Sequence, residues 1–230
     1  MKKVGIVGGM APESTVVYYH DIVYGVQKAS GKNFFPNLSI ESVDVFTVLQ
    51  LCEEQRYEEL YEYLMKAIEC LCKCNVDFII LAANTPHIVY DRLAANTSIP
   101  IISIIDETAE EAKNQGMERI GLLGTKFTMT GEYYKRPFAQ RQINIVTPNV
   151  EEMNYIADKI TNELELGIVK DDTKVQLCSI INRMKKEEKI EGIVLGCTEL
   201  PLAINSVNSP VTCLDTMSIH IKSIINRIMN

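Results

Sequence analysis

Short apolar runs bounded by Gly, Pro and Asn alternate along this chain with longer amphipathic stretches, and the alternation restarts near residue 119. Val4–Gly8 is a continuous apolar run, which a strand buried on both faces of a parallel sheet requires. Further runs predict strands over 37–43, 77–82 and 99–104. Helical spacing covers 15–27, 56–74 and 87–95, with another helix after residue 104. Then Ile120-Gly121-Leu122-Leu123-Gly124 echoes Val4-Gly5-Ile6-Val7-Gly8. Strands follow at 119–124, 144–146, 192–195 and 211–214, and helices at 150–166, 174–187 and 218–229. Strands alternating with helices imply parallel sheets and right-handed crossovers. The fold class expected is therefore α/β, with two similar lobes, each a small mainly parallel sheet flanked by helices.

Composition narrows the function. The net charge of −7 repels phosphate backbones, so no nucleic-acid partner is expected. No run approaches the roughly 18 apolar residues of a membrane span, so no membrane partner is expected either. The basic, apolar start breaks at Gly8-Gly9, too soon for a signal peptide, and a cytoplasmic location is expected. Seven cysteines in a chain of 230 residues argue against a disulfide framework. Cys70, Cys72 and Cys74 lack zinc-site spacing, so no metal is expected.

In open parallel sheets, ligands sit beyond the carboxyl ends of the strands. Four loops leave such ends with unusual chemistry. Gly196-Cys197-Thr198-Glu199-Leu200-Pro201 places a thiol at a strand-to-helix turn, where a helix N-terminus would favour the thiolate. A cysteine merely packing a strand end reads equally well. Ala83-Asn84-Thr85-Pro86-His87 offers short polar groups that bind a carboxylate or simply cap a helix. His87 is a proton donor or a structural histidine. Gly8-Gly9-Met10-Ala11-Pro12 makes a tight, anion-binding turn or a ligand-free connection. It lacks the spacing of dinucleotide and Walker loops, so neither NAD nor ATP is expected. Thr125 and Thr128 follow the repeated strand, as carboxylate ligands or as a cap.

Taken in order, GGMxxEST, Asn-Thr-x-His, Gly-Thr-x-x-Thr-Met and Gly-Cys-Thr-Glu resemble the aspartate/glutamate racemase family over nearly the whole chain. The branch most similar holds broad or L-specific aspartate/glutamate racemases and RacX-like amino-acid racemases. The resemblance implies two lobes related by a pseudo-two-fold, with the active site in the cleft between them. It implies a C-terminal segment that returns to the first lobe, giving lobes of 1–98 plus 208–230 and of 99–207. No cofactor, neither pyridoxal phosphate nor metal, is implied. The expected partner is a small amino-acid substrate, and the expected assembly a homodimer. Cys197 is implied as one acid/base, and position 83 as the other. Gly9, Met10, Asn84, His87, Thr125, Thr128, Thr198 and Glu199 are implied to bind substrate.

Two departures stand out. Position 83 is alanine, where the family has Cys or Thr. Alanine has no proton to exchange, so the second acid/base lies elsewhere, with Thr85 or His87 nearest. Alternatively, Ala83 is an engineered change, or the chemistry is one-sided, as in one-thiol malonate decarboxylases, or the chain only binds amino acids. The stretch 42–47 also lacks the basic residue expected of aspartate-specific members, and so does 163–167. Strong selection for an acidic side chain is therefore not expected, and a neutral or varied amino acid fits as well as an acidic one.

Overall fold

The structure is a computed structural model and describes every residue from Met1 to Asn230. It divides into two compact units. One comprises Met1–Glu107 with Met217–Asn230, and the other Thr108–Thr216.

In the first unit the order is β1 (Val4–Gly8), α1 (Pro12–Ser30), β2 (Leu38–Ser42), α2 (Val45–Glu53), α3 (Tyr57–Cys72) and β3 (Phe78–Leu81). A 3-10 turn, Thr85–Val89, leads into α4 (Tyr90–Ala95), then β4 (Ile101–Ile102) and the start of α5 (Ile104–Asn114). The strands are all parallel, in the order β2-β1-β3-β4. Apolar spacing sets the layers. In α3, Leu60, Leu64, Ile68 and Leu71 recur on one stripe and are wholly or almost wholly buried. That helix covers β1 and β2, and each such side chain contributes about 1.5–3 kcal/mol by leaving water. Val4, Ile6, Phe78 and Ile80 pack instead with Tyr18, Ile22 and Val26 of α1.

The second unit runs β5 (Arg119–Gly124), α6 (Lys126–Thr130), α7 (Glu132–Ala139), β6 (Asn144–Val146), α8 (Val150–Asn162), α9 (Asp171–Glu187), β7 (Gly192–Gly196) and β8 (Thr212–Asp215). Its sheet is also all parallel, in the order β6-β5-β7-β8. This repeats the first sheet's order strand for strand. Ile156 and Ile160 of α8 and Leu177, Ile181 and Met184 of α9 join Leu123, Ile193 and Leu195 in its core. The last helix, α10 (Thr216–Met229), returns to the first unit, where Ile221, Ile224 and Ile228 complete the α1 layer.

The structure corrects the expected divisions at 98/99 and 207/208. Ile101 and Ile102 of β4 are ladder partners of Ile79 and Ile80 in β3. Thr212–Asp215 pairs with β7 rather than with the first sheet. A strand's backbone groups are satisfied by its ladder, so both boundaries move further along the chain, to Glu107 and Thr216. Two helices also lie where none is expected: α2 and α7. Asp44 opens α2 as its cap, accepting from the amides of Phe46 at 3.1 Å and Thr47 at 3.2 Å. The single helix expected over 150–166 is broken at Glu163, whose φ of −130° leaves the helical region.

Candidate active site

Both sheets reverse their strand order at the same place. In the first, the chain leaves β1 toward β2 on one side and returns with β3 on the other. In the second, β5 and β7 flank the corresponding reversal. The crevice at such a switch point, beyond the carboxyl ends, is where open α/β sheets bind ligands. All four chemistry-bearing loops leave these central strands.

In the first unit, the Gly9–Ala11 loop follows β1 and the Ala82–Asn84 loop follows β3. The two are neighbours, because Ala82 N–H donates to the Val7 carbonyl at 3.0 Å. Gly9 has a φ of +89°, and a Cβ there would fall on the Val43 carbonyl oxygen. Its amide donates to Thr15 Oγ1 at 2.8 Å, so this N–H, expected to approach an anion, instead locks the loop to α1. Met10 is buried beside it. Gly9→Ala is expected to cost roughly 1–3 kcal/mol or more, since the conformation and the space both exclude a side chain. The midpoint of urea unfolding measures this.

Ala83 and Asn84 are buried, and Thr85 is half-buried. The Asn84 side chain makes no capping bond to the 3-10 turn, which removes the plain capping explanation for it. His87 is buried, and its Nδ1 lies 3.0 Å from the Ala83 carbonyl oxygen. Burial pushes its pKa down to about 4, so the ring is neutral near pH 7. His220 of α10 belongs to the same buried group. Its Nε2 donates to the Ile102 carbonyl at 3.2 Å, and its Nδ1 accepts from the Tyr18 hydroxyl at 2.9 Å. Burial first, and then His87, hold its pKa down to about 3. Sequence reasoning missed His220 as a partner of this group. Its spacing four residues from Thr216 and from Ile224 on the inward face of α10 was the available signal.

In the second unit, β5 leads to Thr125–Thr128 and β7 to Cys197–Glu199, with Gly124 and Gly196 in register. Thr125 caps α6: its Oγ1 accepts from the Thr128 amide at 3.3 Å and donates to Thr128 Oγ1 at 3.1 Å. The capping role considered for these threonines is thus present. Thr128 is wholly buried, and a Cβ on Gly196 would come within 3.0 Å of its methyl group.

Cys197 is buried at the edge of the second unit's core. Its Sγ donates to Glu199 Oε2 at 2.9 Å, and Thr198 Oγ1 donates to Glu199 Oε1 at 2.8 Å. The structure corrects the expectation of a helix-stabilised thiolate. The element after Cys197 is only the single 3-10 turn Leu200–Leu202, which has no appreciable dipole. Burial pushes the Cys197 thiol well above its usual pKa, and the charge and hydrogen bond of Glu199 push it the same way. The Glu199 amide opposes them, and Glu165 adds a further negative charge. The group is a protonated thiol held by a carboxylate. Glu165, missed in the sequence, is largely exposed in area, yet enough protein surrounds its carboxyl to raise its pKa, with Glu199 adding to this. Its turn is tied down by Glu163, whose buried carboxylate accepts from Thr173 Oγ1 at 2.6 Å, Lys159 at 2.9 Å and Lys170 at 3.1 Å.

A family model for Asp/Glu/Hydantoin racemases matches residues 7–224. The chain belongs to this racemase family. Among family members, it is 23% identical to the broad specificity amino-acid racemase RacX of Bacillus subtilis, over 97% of this chain and 96% of that protein. It spans about half, 53%, of the length of a Streptococcus gordonii glutamate racemase that it also matches at 26% identity over 63% of this chain. Among solved structures, an aspartate racemase homologue from Pyrococcus horikoshii OT3 is 36% identical, with a TM-score of 0.84 over 100% of both chains. A candidate Asp/Glu racemase from Yersinia pestis is 30% identical, with a TM-score of 0.94 over 100% of both chains. The named racemases among these relatives are isomerases, and no helix of this family member is long and apolar enough to cross a membrane.

Proposed function

We propose that this isomerase is a cofactor-independent amino-acid racemase of the aspartate/glutamate type, with Cys197 exchanging the Cα proton of the substrate. The observation that carries the reading is the family match over residues 7–224. The thiol after β7 adds to it, because its hydrogen-bonded carboxylate gives its proton somewhere to go. Racemisation removes a proton from one face of Cα and supplies one to the other, so two acid/base groups are needed. The carbanion between them is stabilised by donors to the substrate carboxylate. Gly9, Met10, Asn84, Thr85, Thr125, Thr128, Thr198 and Glu199 are the residues proposed to hold the substrate.

Side-chain selection in this reading favours neutral or varied amino acids over acidic ones. Asp44 caps α2 in the stretch expected to bind an acidic side chain. The turn at Leu164–Leu166 brings Glu165 toward Cys197 rather than a cation. A second reading, one-sided protonation by a single thiol as in malonate decarboxylation, is favoured by the methyl group of Ala83.

One comparison tests both. The natural chain and Ala83→Cys are incubated with single enantiomers of the common amino acids, and optical rotation is followed. A racemase whose second acid/base lies elsewhere loses rotation in both. Racemisation only in Ala83→Cys shows that residue 83 is the missing group in a disabled racemase. Carbon dioxide release from a disubstituted malonate, with no racemisation by either protein, overturns the proposal in favour of the lyase.

A further inference from the structure

Two ties hold α10 against α1 in the first unit. The Tyr18 hydroxyl lies 2.9 Å from His220 Nδ1. Further along, a Cβ on Gly25 would fall 2.3 Å from Ile225 Cδ1, so the helices touch there. Beside these ties they flank a surface cavity of about 280 Å³, lined by Asp21, Ser218, Ile221, Lys222, Ile225 and Asn226. All six residues belong to the same compact unit. Asp21, Ser218, Lys222 and Asn226 are exposed, so a solute reaches the cavity from water. Buried Ile221 and half-buried Ile225 give it an apolar floor.

Ser218, Lys222 and Asn226 recur every four residues and share one face of α10. Asp21 meets that face from α1. An acid and a base thus line one cavity, yet they form no ion pair with each other, and the Lys222 ammonium has no partner in the structure. The Asn226 carboxamide has none either. Asp21 has one oxygen engaged, Oδ1 accepting from His20 Nδ1 at 2.7 Å, which leaves Oδ2 open. Opposite charges held apart over an apolar floor fit a ligand that carries both charges. A dianion is repelled by Asp21, and a simple cation by Lys222. The volume lies just under the roughly 300–1,000 Å³ of sites for drug-sized ligands, which suits a smaller molecule.

We propose that this groove binds a free α-amino acid with an aliphatic side chain, as the zwitterion. The Lys222 ammonium and the Asn226 amide hold its α-carboxylate. Asp21 Oδ2 accepts from its α-ammonium, and its side chain rests on Ile221 and Ile225. Exposed charges attract weakly in water, so the affinity expected is millimolar. The groove uses no residue proposed to act in racemisation, so it stands or falls apart from that reading.

The test titrates the full chain with L-leucine and follows its backbone amide NMR signals. Signals of residues 20–25 and 218–226 are expected to shift and to saturate in the millimolar range. Signals around Cys197 report the other site separately. Lys222→Met keeps the length of the side chain without its charge, and Asp21→Asn does the same for the acid. Each is expected to weaken binding at the groove by roughly fivefold, the upper end for an exposed ion pair. In the natural chain, 4-methylpentanoate lacks the ammonium and leucinamide lacks the carboxylate, and each is expected to bind as poorly as leucine does to the variants. Groove signals that leucine leaves unmoved well above millimolar concentration overturn the proposal. Equal shifts from leucine and both analogues overturn it too, since the groove is then merely apolar. So do shifts that follow protein concentration without ligand, which seat a second copy there. Shifts around Cys197 alone remove this site and leave the racemase reading intact.

Discussion

Replacing Cys197 by serine is expected to slow Cα-proton exchange by roughly 10²–10⁴-fold, the usual contribution of a positioned acid/base group. Serine keeps the volume and the hydrogen bond to Glu199, so the fold survives and the loss is chemical. A companion change separates proton supply from packing. Glu199 raises the thiol pKa by its charge and by accepting the S–H. Glu199→Gln removes the charge, so the pH profile of Cys197 alkylation is expected to move toward lower pH. Exchange should fall as well, because the carboxylate no longer receives the thiol proton. A natural exchange rate in Cys197→Ser would show that the thiol is only packing.

Acid should weaken the first unit well before carboxylates titrate. His87 and His220 have pKa values pushed down to about 4 and about 3 by burial. In the unfolded chain both titrate near 6.5. Below that value the unfolded state binds protons that the folded state refuses. Their contribution to stability is therefore complete above pH 6.5 and is lost as pH falls toward 4 and then 3. At about 1.4 kcal/mol per unit, His87 accounts for roughly 3 kcal/mol and His220 for somewhat more. Glu163, held down to about 2 by Thr173, Lys159 and Lys170, adds to acid lability only below its ordinary 4.5. The window between pH 6.5 and 5 thus belongs to the histidines. Urea midpoints across it should fall steadily, and His220→Gln should flatten the slope whatever its own cost. A flat profile in the natural chain would mean that the rings are not buried neutral.

The strands were legible because a strand covered on both faces must be apolar throughout, as Val4–Gly8 and Gly192–Gly196 are. The repeat of Val4–Gly8 at Ile120–Gly124 foretold two similar sheets. The loops with chemistry were legible for the same reason, since each interrupts an apolar run. What was hidden depends on long-range placement. Val45-Phe46-Thr47-Val48 reads as β-branched and aromatic, yet Asp44 caps it into a helix against α3. In α7, Pro137 disguises a helix. The lobe boundaries turned on which strand β4 joins, and two residues of ladder carry no sequence mark of their partner. At the candidate site, the sequence offered Cys197 as a thiol at a strand end, but not its protonation state. That is set by the turn that brings Glu199 back to the sulfur, and by the burial of the thiol. For His87 the sequence offered a lone histidine after a strand, and only the structure shows which nitrogen is anchored.

Deuterium incorporation at Cα is the most direct measurement. The natural chain, given a single enantiomer in deuterated water, is expected to yield the opposite enantiomer carrying deuterium at Cα, and Cys197→Ser is expected to do so roughly 10²–10⁴-fold more slowly. Folded protein that leaves every common amino acid undeuterated, or a Cys197→Ser variant that exchanges as fast as the natural chain, would contradict an acid/base role for this thiol.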